Sequence, residues 1–122
     1  KLIYQGIRDV FRVRSLSHEY DYIILDPPAF TKSGRTVHEA FRGYKEINYR
    51  AMKILPRGGY LATCSFSHFM GEELFVKMVK EAARDAGVTL RQIEFRQQAP
   101  DHPILMTVPE TYYLKFFLFQ II

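Results

Sequence analysis

Asp26 stops the apolar run Tyr22, Ile23, Ile24, Leu25 and is followed by Pro27, Pro28, Ala29 and Phe30. A carboxylate at such a place accepts hydrogen bonds, two prolines stiffen the turn, and an aromatic ring offers a stacking face. That combination suits recognition of a nucleic-acid base, whose amine donates to the turn while its ring stacks on the aromatic. The same residues also read as a capping aspartate ahead of a rigid turn. Lys32, Arg35, Arg42 and Lys45 flank the turn and are of the type that contacts phosphates, with a solvated helix face as the alternative. Asp101 and His102 are adjacent, but no G-x-S-x-G elbow is present to complete a hydrolase triad. Neither a phosphate-cradling P-loop nor metal-ligand spacing is found. Cys64 is the one cysteine, which excludes an intrachain disulfide and a cysteine metal cage. It reads either as a nucleophile or as a small buried hydrophobe, and its apolar flanks favour the second.

These groups need a frame. The run at 22–25 is short, apolar throughout and closed by proline, the pattern of a strand buried on both faces of a parallel sheet. Ligands of open α/β sheets bind beyond the carboxyl ends of the strands, which is where Asp26 falls. Residues 7–20 read as a strand end followed by a helix or loop, with Asp9 near its start, and 31–36 as a loop. Ala40, Phe41, Tyr44, Ile47, Ala51, Ile54 and Leu55 recur at helical spacing and predict a helix over 37–55, ended by Pro56, Gly58 and Gly59. Residues 60–64 predict a second buried strand, 69–86 an amphipathic helix capped by Gly87, and 88–97 an alternating strand. A proline-containing loop over 99–110 and a last strand over 112–121 complete the chain. The last two strands have no helix between them and are expected to pair antiparallel. The predicted fold class is therefore α/β, a mostly parallel Rossmann-like sheet with one reversed terminal strand, in a single domain over 1–122.

Composition agrees with a globular domain: 122 residues, 48% hydrophobic, 25% charged and 15% aromatic, with a mean hydropathy of −0.15. The net charge of +4 and pI of about 9.3 lean towards polyanionic partners. No segment is long and apolar enough to span a membrane. The single cysteine and the lack of a signal peptide lead to a cytoplasmic expectation. The chain begins at Lys1 and is expected to be part of something longer.

Several motifs occur in a fixed order: Asp26-Pro27-Pro28-Ala29-Phe30, then Gly43-Tyr44-Lys45-Glu46-Ile47-Asn48, then Gly58-Gly59-Tyr60-Leu61-Ala62-Thr63-Cys64-Ser65-Phe66-Ser67-His68. Asp101-His102-Pro103, Pro109-Glu110-Thr111 and Tyr113-Leu114-Lys115 follow. Together they resemble the bacterial 23S rRNA large-subunit cytosine-5 methyltransferase family, over nearly the whole chain. The resemblance implies a class I S-adenosylmethionine-dependent methyltransferase domain of which this is the C-terminal half, with the first strands and the glycine-rich cofactor loop upstream. No G-x-G cluster occurs here. It further implies 23S rRNA as substrate and S-adenosyl-L-methionine as cofactor, with the chain alone inactive. Cofactor contacts are expected from Asp9, Asp26 and Pro27, and catalytic roles from Asp26 and Cys64. Substrate contacts are expected from Pro28, Phe30, Lys32, Tyr44 and Lys45, and further along from Phe66, His68 and His102. No metal is implied.

One departure matters. Methylating carbon 5 of cytosine requires a thiolate to attack carbon 6. The position that matches the family's nucleophile is occupied by Phe66, and Cys64 lies two residues earlier, on the same side of an extended strand. Methylation of an exocyclic amine, which needs no cysteine, is the alternative, and a non-catalytic nucleic-acid-binding domain is another. With upstream strands absent, the 23–25 strand is expected to form an open edge, and copies are expected to associate through that edge or through the uncovered sheet face.

Overall fold

A computed structural model describes residues 2–5 as backbone, together with 21–26, 37–65, 67, 70–98, 104–107 and 114–122. Five strands, β1 (Leu2–Gln5), β2 (Tyr22–Leu25), β3 (Tyr60–Ser65), β4 (Leu90–Arg96) and β5 (Lys115–Ile121), form one sheet in the order β1-β2-β3-β5-β4. β1, β2 and β3 run parallel. β5 is the reversed strand and lies antiparallel between β3 and β4. The mostly parallel α/β sheet with one reversed strand is thus present.

Two helices, α1 (Val37–Ile54) and α2 (Glu72–Ala86), pack against one sheet face. Each does so because its apolar residues recur on one side: Ala40, Tyr44, Ile47 and Ala51 in α1, and Phe75, Met78, Val79 and Ala82 in α2. They meet Ile23, Leu25, Leu61, Phe117, Phe119 and Ile121, the alternate residues of three adjoining strands. The Phe75 ring stacks on Phe117 at 5.7 Å, and Phe117 on Phe119 at 5.4 Å.

Two glycines set strand and helix ends. Gly87 takes the left-handed conformation (φ 72°) that ends α2, and its N–H donates to the carbonyls of Ala83 and Arg84. Gly59 precedes β3 in a crowded turn, where an added Cβ would lie 3.0 Å from the Pro56 carbonyl oxygen and 3.3 Å from that of Asp21. The close approach lets Tyr60 N–H reach Asp21 O at 2.9 Å and Ile121 N–H reach Gly59 O at 2.8 Å, which aligns β3 with β5.

The structure corrects several expectations. β2 is not an edge: β1 pairs along it from Leu2↔Tyr22 to Gln5↔Leu25. The second helix starts at Glu72, because Met70 and Gly71 are not helical. β4 does not alternate. A register shift between Gln92 and Glu94 turns Ile93 out to solvent, and most of the strand is exposed. The expected segments 7–20 and 31–36 lie outside the described residues, as do most of 99–110.

Candidate functional site

The site is built from the carboxyl ends of β2 and β3. Asp26 follows the last residue of β2 and is exposed. The register Leu25↔Thr63 brings Asp26 and Cys64 side by side on the same face. The Cys64 thiol donates to the Leu25 carbonyl at 3.5 Å and to Asp26 Oδ1 at 3.6 Å. Cys64 is buried, at 7% exposure. Burial, reinforced by the negative charge and hydrogen bond of Asp26, pushes its pKa up to about 12. A thiolate nucleophile needs the opposite environment, one of positive charge and access. In this arrangement the Cys64 thiol donates to the Asp26 carboxylate, surroundings that disfavour the thiolate a nucleophilic role would need.

Behind this rim, on the helix-covered face, lies a group of buried polar side chains. Ser65, the last residue of β3, donates its hydroxyl to the Tyr44 hydroxyl at 3.2 Å and accepts the Ser67 N–H at 3.2 Å. Lys115 stands directly across from Ser65 in the β3–β5 register. Its Nζ donates to the Ser67 carbonyl at 2.5 Å. Asn48 Nδ2 donates to the Tyr44 carbonyl at 2.8 Å.

Tyr44 was expected to touch substrate and does not fit that role. It has no exposed surface, its ring packs edge-on against Phe75, and its hydroxyl holds Ser65. The helical period that predicted α1 already put Tyr44 on the apolar stripe with Ala40, Ile47 and Ala51. Lys45 was expected at a phosphate. Its ammonium lies 2.9 Å from Asp85 and 3.5 Å from Glu81, tying α1 to α2. The hydrogen bond to Asp85 raises its pKa, and these two carboxylates compete with any phosphate for its charge. Asp9, Pro27, Pro28, Phe30, Lys32, Phe66, His68 and His102 lie outside the described residues. Ser65 was not expected at the site, and Lys115 was expected only as part of the C-terminal motif around the final loop. The signal for Lys115 was present: in Lys115–Ile121 it shares the alternate positions of Phe117, Phe119 and Ile121, so it had to face the core.

Among the described residues no group of His, Cys, Asp and Glu could hold a metal ion, and no helix is long and apolar enough to cross a membrane.

No protein-family model matches this chain. It is 45% identical over 113 residues to the ribosomal RNA large subunit methyltransferase I of Pseudoalteromonas atlantica, a match that covers 93% of this chain and 28% of that protein. It is 42% identical over 118 residues to the protein of the same name from Shigella dysenteriae serotype 1, covering 93% of this chain and 30% of that one. Among solved structures, it resembles SMU.776, provisionally assigned as a methyltransferase and solved in complex with S-adenosylhomocysteine. There the TM-score is 0.72 at 21% identity, over 93% of this chain and 28% of that one. A second likeness is to a protein of Thermus thermophilus provisionally assigned as a DNA modification methylase, with a TM-score of 0.58 at 13% identity over 99% of this chain and 52% of that one. At these identities the solved structures show the fold, an α/β methyltransferase-type sheet. The chain spans under a third of the length of the curated relatives it matches, and the similarity to them runs through nearly all of it.

Proposed function

We propose that the complete protein transfers a methyl group from S-adenosylmethionine to large-subunit ribosomal RNA, and that this chain supplies one side of its active site. The observation that carries the reading is the 45% identity, over 93% of the chain, to a protein named for that activity. Asp26 lies where the reading requires an acceptor, exposed at the carboxyl end of a buried parallel strand. The acceptor fits a purine or cytosine amine: an exposed carboxylate at the strand end, with one oxygen accepting from the Cys64 thiol. S-adenosylmethionine, when bound, supplies an electrophilic methyl on its sulfonium. The residues of this chain bind and orient: Asp26 accepts from an amine of adenine or of the target base, and Cys64 holds that carboxylate in place. The glycine-rich loop expected for the cofactor's remaining contacts is not in this sequence, so the chain alone is expected to bind S-adenosylhomocysteine weakly and to lack activity. Action on ribosomal RNA would place the protein in the cytoplasm.

The target atom follows from how the base is activated. Carbon 5 of cytosine, which the family resemblance implies, requires a thiolate at carbon 6. A second reading, methylation of an exocyclic amine, is favoured by the environment of Cys64, whose thiol is kept protonated beside Asp26. Labelled S-adenosylmethionine, ribosomal RNA and nucleoside analysis separate the two. A Cys64→Ser variant that still transfers methyl excludes Cys64 as the nucleophile, and complete loss with Ser, together with 5-methylcytosine as the wild-type product, restores it.

A further inference from the structure

Lys115 is the described side chain whose chemistry the fold alone does not require. It takes a core-facing position at the start of β5, in line with Phe117, Phe119 and Ile121, and is only 1% exposed. An apolar side chain of the same length would fill that space without the penalty of burying an ammonium. The amine instead reaches past its register partner Ser65 to the Ser67 carbonyl at 2.5 Å. That carbonyl also accepts the Met70 N–H at 3.2 Å, so it ties Ser67 to the approach to α2. The Ser67 N–H is held in turn by Ser65 Oγ, which donates to the Tyr44 hydroxyl. The N–H and the carbonyl of Ser67 are thus both held, one from α1 through Tyr44 and Ser65, the other from β5 through Lys115. The turn begins three residues beyond Cys64, at the same end of the sheet as Asp26. Burial lowers the Lys115 pKa to about 8, in keeping with an amine taken out of water.

We propose that Lys115 is a positioning residue for methyl transfer: its buried ammonium, bonded to the Ser67 carbonyl, sets the turn after β3 against the Asp26 rim. The proposal rests on the methyl-transfer reading. Lys115 touches neither base nor cofactor in this account. It acts through the Ser67 backbone, at the end of the sheet where Asp26 lies.

The test uses the complete protein as wild type, Lys115→Met and Tyr44→Phe. Lys115→Met is expected to lower kcat for ribosomal RNA methylation at least tenfold. KM for S-adenosylmethionine and Kd for S-adenosylhomocysteine should stay within twofold, and Tm should not fall. Amide exchange over residues 67–70 should accelerate at least tenfold, with the strands unchanged. Tyr44→Phe keeps the ring and removes the other anchor, and should lower kcat in the same sense by about threefold. A kcat within twofold of wild type for Lys115→Met overturns the proposal. If Lys115→Met does not fold, an unchanged kcat and unchanged exchange at 67–70 in Tyr44→Phe overturn it. A wild-type protein that transfers no methyl group refutes the functional reading separately, and exchange at 67–70 then decides whether Lys115 holds the turn.

Discussion

At the scale of single residues, the chemistry turns on two buried groups with opposite shifts. Cys64 is raised towards 12 by burial first and by Asp26 second. The folded protein at pH 8 should therefore alkylate at Cys64 with iodoacetamide at least about a hundredfold more slowly than the unfolded chain. Asp26→Asn should recover only part of that reactivity, since burial remains; a fast native reaction would show an accessible thiolate. Lys115 is lowered to about 8. Its charged form is disfavoured by folding, so the penalty is fully present below pH 8. Between about 8 and 10.5 the unfolded chain binds more protons than the folded one, and stability rises with pH. The rise amounts to something on the order of 3 kcal/mol. Among the described residues Tyr44 is the other titratable group in this buried network, and it is retained when Lys115→Met is compared with wild type. Denaturant unfolding across that range should show the wild-type rise and its loss in Lys115→Met; parallel curves would contradict the assignment. Sequence reasoning found Asp26 and Cys64 and could not see that they hydrogen-bond to each other, because that depends on the register of two strands far apart in sequence. Tyr44 illustrates the reverse: its motif suggested substrate, while its helical phase assigned it to the core.

For single elements, apolar patterning located the two described helices and the strands β2, β3 and β5, because each presents a face whose burial drives its formation, and it located β4 without its exposure. What patterning did not show was the exposed β4, whose bulge at Ile93 breaks the alternation, and β1, four residues whose strand character comes from pairing with β2. The β3 strand carries two contrasting tests. Gly59→Ala pushes a methyl to 3.0 Å from the Pro56 carbonyl oxygen and should cost about 1–3 kcal/mol in denaturant unfolding. Thr63 lies on the core face with a buried hydroxyl that has no hydrogen-bond partner among the described residues. Thr63→Val should leave stability unchanged or raise it by about 1 kcal/mol, and a loss above that would reveal a partner for the hydroxyl.

At the scale of the molecule, one reversed strand inserted between β3 and β4 closes the sheet on one side, with β4 as its edge. Arg91, Glu94 and Arg96, with the bulge, make that edge a poor template for pairing. The expected association of copies loses its original premise, because β1 covers β2. Among the described strands none pairs with the outer side of β1, and association of copies there is the prediction that replaces it. Light scattering of the chain at rising concentration tests it, and a monomer throughout would refute it. Methyl transfer by the complete protein is read out by incubation with methyl-labelled S-adenosylmethionine and large-subunit ribosomal RNA, followed by nucleoside analysis. Label is expected in the RNA as a single methylated base, lost with Asp26→Ala. Absence of label from a protein that binds both S-adenosylhomocysteine and RNA would contradict it.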